Sequence, residues 1–190
     1  MSATAALIAS TLNAGTPLLL AGIGILIHER SGVLNLGIEG IMLMGAVAGF
    51  GTCYLTGSFF LGFAAAALVG MVLSALFGFL TLGLYANQNA AGLAMAIFGA
   101  GLAAFIGQPL QGVSLAARAC EGIPFLRDIP FVGDAFFSSH VLVYVALFMA
   151  GAAACFLYKS RWGLILRAAG ESPKSAYALG YPVRTIRFSA

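Results

Sequence analysis

The sequence predicts an all-α, polytopic helical membrane protein with about five transmembrane helices. Of its 190 residues, 61% are hydrophobic and 8% are charged, and the mean hydropathy is +1.01. A soluble domain carries roughly 25% charged residues, so this chain has too little polar surface to cover a water-soluble globule. Several apolar runs also reach the length that a helix needs to cross a bilayer, about 20 residues. We therefore expect one transmembrane domain over residues 1–190.

Five apolar segments are the predicted spans. They cover residues 4–27, 33–55, 59–86, 91–107 and 141–158. Pro17 lies inside the first span and predicts a kink there, because proline removes a backbone hydrogen bond. The fourth span is short, which suggests that its helix begins in the polar stretch at residues 87–89.

The basic residues predict the orientation. If the loop at residues 28–31 is cytoplasmic, alternating sides place seven of the nine basic residues in the cytoplasm and two outside. Lys and Arg accumulate on the cytoplasmic side of membrane proteins. The N-terminus is therefore expected outside, with residues 108–140 as an extracytoplasmic loop and residues 159–187 as a cytoplasmic segment.

Small residues recur at every fourth position of the third span. They are Gly62, Ala66, Gly70, Ser74 and Gly78. Positions four apart share a helix face, and small side chains let membrane helices approach closely. We expect this face to pack against another helix. The alternative is chance, since the chain contains 25 glycines.

The second span opens with polar side chains among glycines. Asn35 and Glu39 are four residues apart, which would place them on one face of a helix. A carboxylate at mid-bilayer costs roughly 2.5–3.5 kcal/mol on insertion scales, so we expect Glu39 to have a role that offsets this cost. Either the two side chains line a solute pathway, or they bond backbone groups near the glycines and brace the fold. Asn87 and Gln88 pose a similar choice between pathway lining and helix capping.

The cytoplasmic segment predicts a short helix over residues 173–179. Ser172 suits an N-cap and Pro173 suits the first helical turn. Gly180 is expected to end the helix.

This short helix is expected to be amphipathic. Ala176 and Leu179 are three residues apart and would share its apolar face, while Lys174 and Ser175 would point away. An exposed helix of two turns has little stability of its own. It would therefore dock into another protein or rest on lipid headgroups, and the residues alone do not separate these two alternatives.

Motifs for chemistry are missing from the sequence. Lys174 and Ser175 follow Pro173 where a Walker A motif would have glycine, so no nucleotide site is expected. No HExxH motif is present, and the three cysteines lie far apart, so we expect neither a metal site nor a cofactor on this chain. A net charge of +3 is too small to indicate a nucleic-acid partner. These observations argue against an enzyme.

Three stretches together resemble one transporter family. They are residues 29–46 (ERSGVLNLGIEGIMLMGA), residues 85–94 (YANQNAAGLA) and residues 161–180 (RWGLILRAAGESPKSAYALG). The chain resembles the permease subunits of ABC importers for simple sugars and nucleosides, a branch of the family shared with ribose and branched-chain amino acid permeases. The three stretches occur in the expected order and span most of the chain.

The resemblance implies a multi-pass protein of the bacterial inner membrane that works with other subunits. The partners would be a second permease subunit, cytoplasmic ATPase subunits that bind ATP, and an extracytoplasmic solute-binding protein. The helix at residues 173–179 would fit a groove on the ATPase, which favours docking over the lipid surface. The implied coupling residues are Gly170, Glu171, Ser172, Pro173, Ala176, Leu179 and Gly180.

The chain departs from the resembling family in two respects. Relatives often have Asn where this chain has Ala96, which puts solute specificity in doubt. Relatives also continue through further spans, so we expect this chain to be a fragment or a truncated reading frame.

A neutral polar solute, such as a nucleoside or a sugar, suits spans that contain amides but no deep basic cluster. The alternative function is a self-contained channel or secondary transporter. Such carriers use intramembrane ionisable residues, and Glu39 is the one acid inside a predicted span.

Overall fold

A computed structural model of the chain describes residues 3–113 and 141–189, and their secondary structure is helical without any strand. These described residues form eight α-helices: α1 (Ala3–Arg30), α2 (Ile38–Thr56), α3 (Phe59–Gly78), α4 (Gln88–Gly107), α5 (Val141–Lys159), α6 (Arg161–Glu171), α7 (Pro173–Ala178) and α8 (Val183–Phe188). A π-helical turn, Phe79–Gly83, continues α3, and a 3-10 turn, Gln108–Leu110, continues α4.

Within the described ranges, five helical segments are long and apolar enough to cross a membrane. They are Ser10–Arg30, Ile38–Thr56, Phe59–Gly83, Gln88–Leu110 and Leu142–Lys159. Each overlaps one predicted span, and the predicted fold class is confirmed: the chain is a polytopic helical membrane protein. Most of the predicted extracytoplasmic loop, from residue 114 to residue 140, lies outside the described residues.

The chain forms two compact units. One unit contains the first part of α1 together with α5, and the other contains the end of α1, helices α2 to α4, most of α6, α7 and α8. In the first unit, Ser160 turns the chain from α5 into α6. Its hydroxyl donates to the Phe156 carbonyl (2.6 Å) and accepts the Gly163 N–H (2.9 Å).

In the second unit, α2 packs against α3 and also against α4. The core residues are Val33, Ile41, Met44, Leu73, Phe77, Met95 and Ala103. The α2–α3 contact is closest where a Cβ added to Gly62 would lie 2.7 Å from the Gly49 carbonyl oxygen. The prediction that the small-residue face of α3 packs against a helix is therefore confirmed. Its tightest position is Gly62, whereas Gly70 is 3.9 Å from Ile41 by the same measure.

Glycines of α4 allow this helix to approach α2 and the segment that leads into it. A Cβ added to Gly99 would lie 2.6 Å from the Cα of Gly40, and one added to Gly92 would lie 2.8 Å from the backbone nitrogen of Leu36. Any larger residue at these positions would push the backbones apart, since the obstructing atoms belong to the main chain. Close helix packing therefore explains these glycines.

The boundary between the first two spans differs from the prediction. The expected loop at residues 28–31 is helical as far as Arg30, and α1 continues without interruption through Pro17. Basic residues in a last helical turn interact favourably with the helix dipole, which explains why the charged end stays helical. Gly32, at φ +78°, then turns the chain, and the second helix begins at Ile38 instead of residue 33.

Candidate functional site

The polar residues at the start of α2 do not share a helix face. Asn35 precedes the helix, and its Oδ1 accepts the Gly37 N–H at 2.9 Å. Glu39 lies in the first turn of α2 and is exposed. The predicted common face is wrong because the helix begins at Ile38. A carboxylate in the first turn interacts favourably with the helix dipole, which lowers the cost of Glu39.

Asn35 is buried, with 7% of its surface exposed. Its Oδ1 faces the Gly37 N–H, which identifies the other side-chain atom as the Nδ2 donor. That Nδ2 is buried and has no hydrogen-bond partner within the described residues. Asn35 therefore stabilises the turn into α2 through its Oδ1, while its buried Nδ2 stays without a hydrogen-bond partner among the described residues.

Asn87 and Gln88 both make structural bonds at the start of α4. The Asn87 side chain is the N-cap and accepts the N–H groups of Asn89 (3.0 Å) and Ala90 (3.3 Å). The Gln88 Oε1 accepts the Leu34 N–H at 3.0 Å. The start of α4 thus holds the segment that leads into α2. A role of Asn87 or Gln88 in solute binding stays a prediction.

The predicted cytoplasmic segment contains three helices. Only one of them, α7, was expected, and it ends at Ala178 with Leu179 as its C-cap. Gly180, at φ +84°, ends the turn as its residue type predicts. Ser172 occupies the predicted N-cap position before Pro173, but its hydroxyl donates to the Ser175 hydroxyl (2.8 Å) and makes no cap bond to the backbone.

The two residues expected to share the apolar face of α7 are in different environments. Ala176 is 4% exposed, whereas Leu179 is 77% exposed. The difference arises because Leu179 follows the last helical residue. Tyr177 is 76% exposed beside it, and the sequence analysis missed this residue. Tyr177 and its neighbour Leu179 are therefore the large apolar side chains exposed at the end of α7.

The end of α6 lies against the turn between α1 and α2. A Cβ added to Gly170 would overlap the Arg30 carbonyl oxygen and would lie 3.0 Å from the Gly32 nitrogen. Ala169, which precedes it, is fully buried. A cavity of about 380 Å³ beside this contact is lined by Glu29, Arg30, Arg167 and Glu171, among others. The predicted coupling residues Gly170 and Glu171 thus adjoin the charged end of α1.

Helix α8 touches several of these elements. The Arg187 Nη2 donates to the Ala169 carbonyl at 3.0 Å, and the Arg184 Nη2 donates to the Gly83 carbonyl at 3.1 Å. The Arg184 guanidinium also lies 5.3 Å from the centre of the Tyr85 ring, within range of a cation–π interaction. A groove of about 800 Å³ between α7, α8 and the α3–α4 connection has three basic lining residues, Lys174, Arg184 and Arg187, and no acidic one.

Comparison with known proteins gives one family and several named relatives. Residues 7–190 match the family described as branched-chain amino acid transport system / permease component. A putative glucose ABC transporter permease protein of Haloferax volcanii is 41% identical over 194 residues, covering 100% of this chain and 59% of the relative.

Two further relatives are less similar. A nucleoside ABC transporter permease protein of Lactococcus lactis and a guanosine ABC transporter permease protein of Bacillus subtilis are each 32% identical, covering 96% of this chain and 61% of the relative. The chain thus spans about three fifths of the length of these curated relatives. No solved structure matches the chain. The chain is a multi-pass protein of the plasma membrane, and it belongs to the family of branched-chain amino acid transport system permease components.

Proposed function

We propose that this chain forms part of the solute pathway of an ABC importer for nucleosides or simple sugars. ATP would be bound by a separate ATPase subunit, and this chain would carry no cofactor and no catalytic site of its own. The names of the relatives, which include glucose, nucleoside and guanosine permeases, support the solute class. The basic residues of the five spans lie at span ends, Arg30 and Lys159, which suits a neutral solute.

The observation that carries the coupling role is the exposed surface of α7. Tyr177 and Leu179 are each more than three quarters exposed, although Ala176, which directly precedes Tyr177, is buried. An apolar surface on a short helix outside the spans is suited to a protein groove. We assign that groove to the cytoplasmic ATPase, and with this assignment residues 159–187 would lie in the cytoplasm and the N-terminus outside.

The remaining partners would be a second permease subunit and an extracytoplasmic solute-binding protein. Many large apolar side chains of the described spans are exposed, among them Leu55, Phe60 and Phe105. Lipid, the second permease and further parts of the permease would cover these surfaces. For the pathway itself, Glu39 is the strongest candidate, because it is exposed while Asn35 is buried and Asn87 and Gln88 make structural bonds.

Co-purification tests this proposal. The tagged permease should bring down an ATPase subunit, and Leu179→Ser should lower that recovery. Leu164→Ser is the matched control, because Leu164 is also an exposed leucine of the segment but lies on α6. Recovery of the permease without any ATPase, combined with uptake that follows an ion gradient and ignores ATP, would establish the secondary-transporter alternative.

A further inference from the structure

We propose that α8 links the docking helix α7 to the transmembrane helices, and that Arg187 and Arg184 are the positioning residues of this link. The inference rests on the proposed function, because it says how a displacement of α7 by the ATPase would reach the spans. It depends on contacts of four elements with α8, which are the end of α6, the α1–α2 turn, the end of α3 and α7 itself.

Arg187 joins α8 to α6 and to the α1–α2 turn. Its Nη2 donates to the carbonyl of Ala169, which belongs to the last turn of α6. The last four carbonyls of a helix lack partners within the helix, and a charged donor makes a strong bond to such a group. A Cβ added to Gly32 would lie 2.7 Å from the same Nη2. The guanidinium therefore rests against the turn that leads to Asn35.

Arg184 and Phe188 join α8 to the end of α3. The Arg184 Nη2 bonds the Gly83 carbonyl at the end of the π-helical turn, and its guanidinium stacks near Tyr85. Phe188 carbons lie 3.2 Å from the position of a Cβ on Gly78. Tyr85 has φ +56°, an uncommon value for a residue with a side chain. This fixed connection leads directly to Gln88.

The chain between α7 and α8 is short and hydrogen-bonded. The Tyr181 N–H donates to the Ala176 carbonyl (3.1 Å), and the Val183 N–H donates to the Tyr181 carbonyl (2.9 Å). A movement of α7 would therefore carry α8 with it. The two arginines would then displace the two segments that Gln88 already joins through its bond to Leu34. Both segments hold polar residues predicted near the solute pathway.

The test uses the complete permease, reconstituted with its ATPase and binding protein in proteoliposomes. In Arg187→Gln, we expect the ATPase to assemble normally and basal ATP hydrolysis to persist. Uptake, and the stimulation of hydrolysis by the loaded binding protein, should each fall about tenfold, the factor for losing one charged hydrogen bond. Arg187→Lys keeps a donor that reaches one carbonyl, so its uptake and its stimulated hydrolysis should lie between those of the wild type and those of Arg187→Gln. Arg161→Gln, an exposed arginine at the start of α6, is the matched control and should behave as the wild type.

Wild-type stimulation and uptake in Arg187→Gln would overturn the proposal. If that variant does not assemble, Arg184→Gln takes its place, because the Arg184 side chain is exposed. Wild-type stimulation and uptake in Arg184→Gln would likewise overturn the proposal. Hydrogen exchange on the detergent-solubilised chain gives an independent readout. Loss of the Arg187 contact should speed exchange in residues 30–33 and 166–171, and unchanged exchange would contradict the link. A wild-type complex without ATP-driven uptake would refute the proposed function instead, whatever the exchange result.

Discussion

The contact between α2 and α3 gives the most direct test of the fold. In Gly62→Ala, the new Cβ would lie 2.7 Å from the Gly49 carbonyl oxygen and 3.1 Å from the Cys53 Cβ. Ordinary van der Waals contact begins at 3.4 Å, so the two helices would have to separate by about 0.7 Å, the difference between 3.4 and 2.7 Å. A radial gap of this size forfeits roughly a quarter to a half of each contact energy that it opens. Overpacking of this kind costs about 1–3 kcal/mol.

The matched control for this variant is Gly70→Ala, on the same small-residue face of α3. Its Cβ would meet Ile41 at 3.9 Å, an ordinary contact. Both variants share the helix-propensity gain of alanine over glycine, about 1 kcal/mol, so their difference isolates the clash. We expect Gly62→Ala to melt several degrees below Gly70→Ala, at about 2–4 °C per kcal/mol for a chain of this size. Thermal unfolding in detergent, followed by fluorescence-detected size exclusion, measures this difference in melting temperature. Equal melting temperatures would refute the packing argument.

Three further predictions follow from individual contacts. Gly99→Ala should destabilise the detergent-solubilised protein by about 1–3 kcal/mol, because its Cβ would meet the Gly40 backbone. The control Gly101→Ala has open space around the new Cβ and should not destabilise the protein. Similar melting temperatures of the two variants would contradict this prediction. Gln88→Ala removes the acceptor of the Leu34 N–H and should cost about 1 kcal/mol, with faster amide exchange at Leu34 as the readout. Glu39→Gln should lower uptake severalfold at normal assembly, and unchanged uptake would remove Glu39 from the pathway.

Local sequence signals predicted most of the helical framework. The spans were recognised because a segment that crosses lipid must be apolar over about 20 residues and must satisfy its backbone within a helix. The start of α4 was also predicted, because Asn87 and the residues after it suit a helix N-terminus. The errors lie at ends where charges or glycines stand, as at Arg30 and Ile38. Helix dipoles and close packing, rather than hydropathy, decide those ends.

The site was predicted less completely than the fold. The residues of the short cytoplasmic helix were found, but the exposed Tyr177 was missed, and Ala176 and Leu179, which were expected on one face, differ in exposure. Helices α6 and α8 were missed altogether. Helix α6 does carry a helical pattern, because Gly163, Leu166 and Ala169 are buried at every third position, but this pattern does not specify which elements the helix contacts.

The sequence by itself determined that this chain is a helical membrane protein with five apolar segments, because hydropathy is a property of each segment alone. Only the tertiary structure decided which glycines meet and which polar groups bond across the fold. The bonds from Leu34 to Gln88 and from Arg184 to Gly83 join residues 54 and 101 positions apart. Such partners are chosen by the packing of whole helices, which no local pattern specifies.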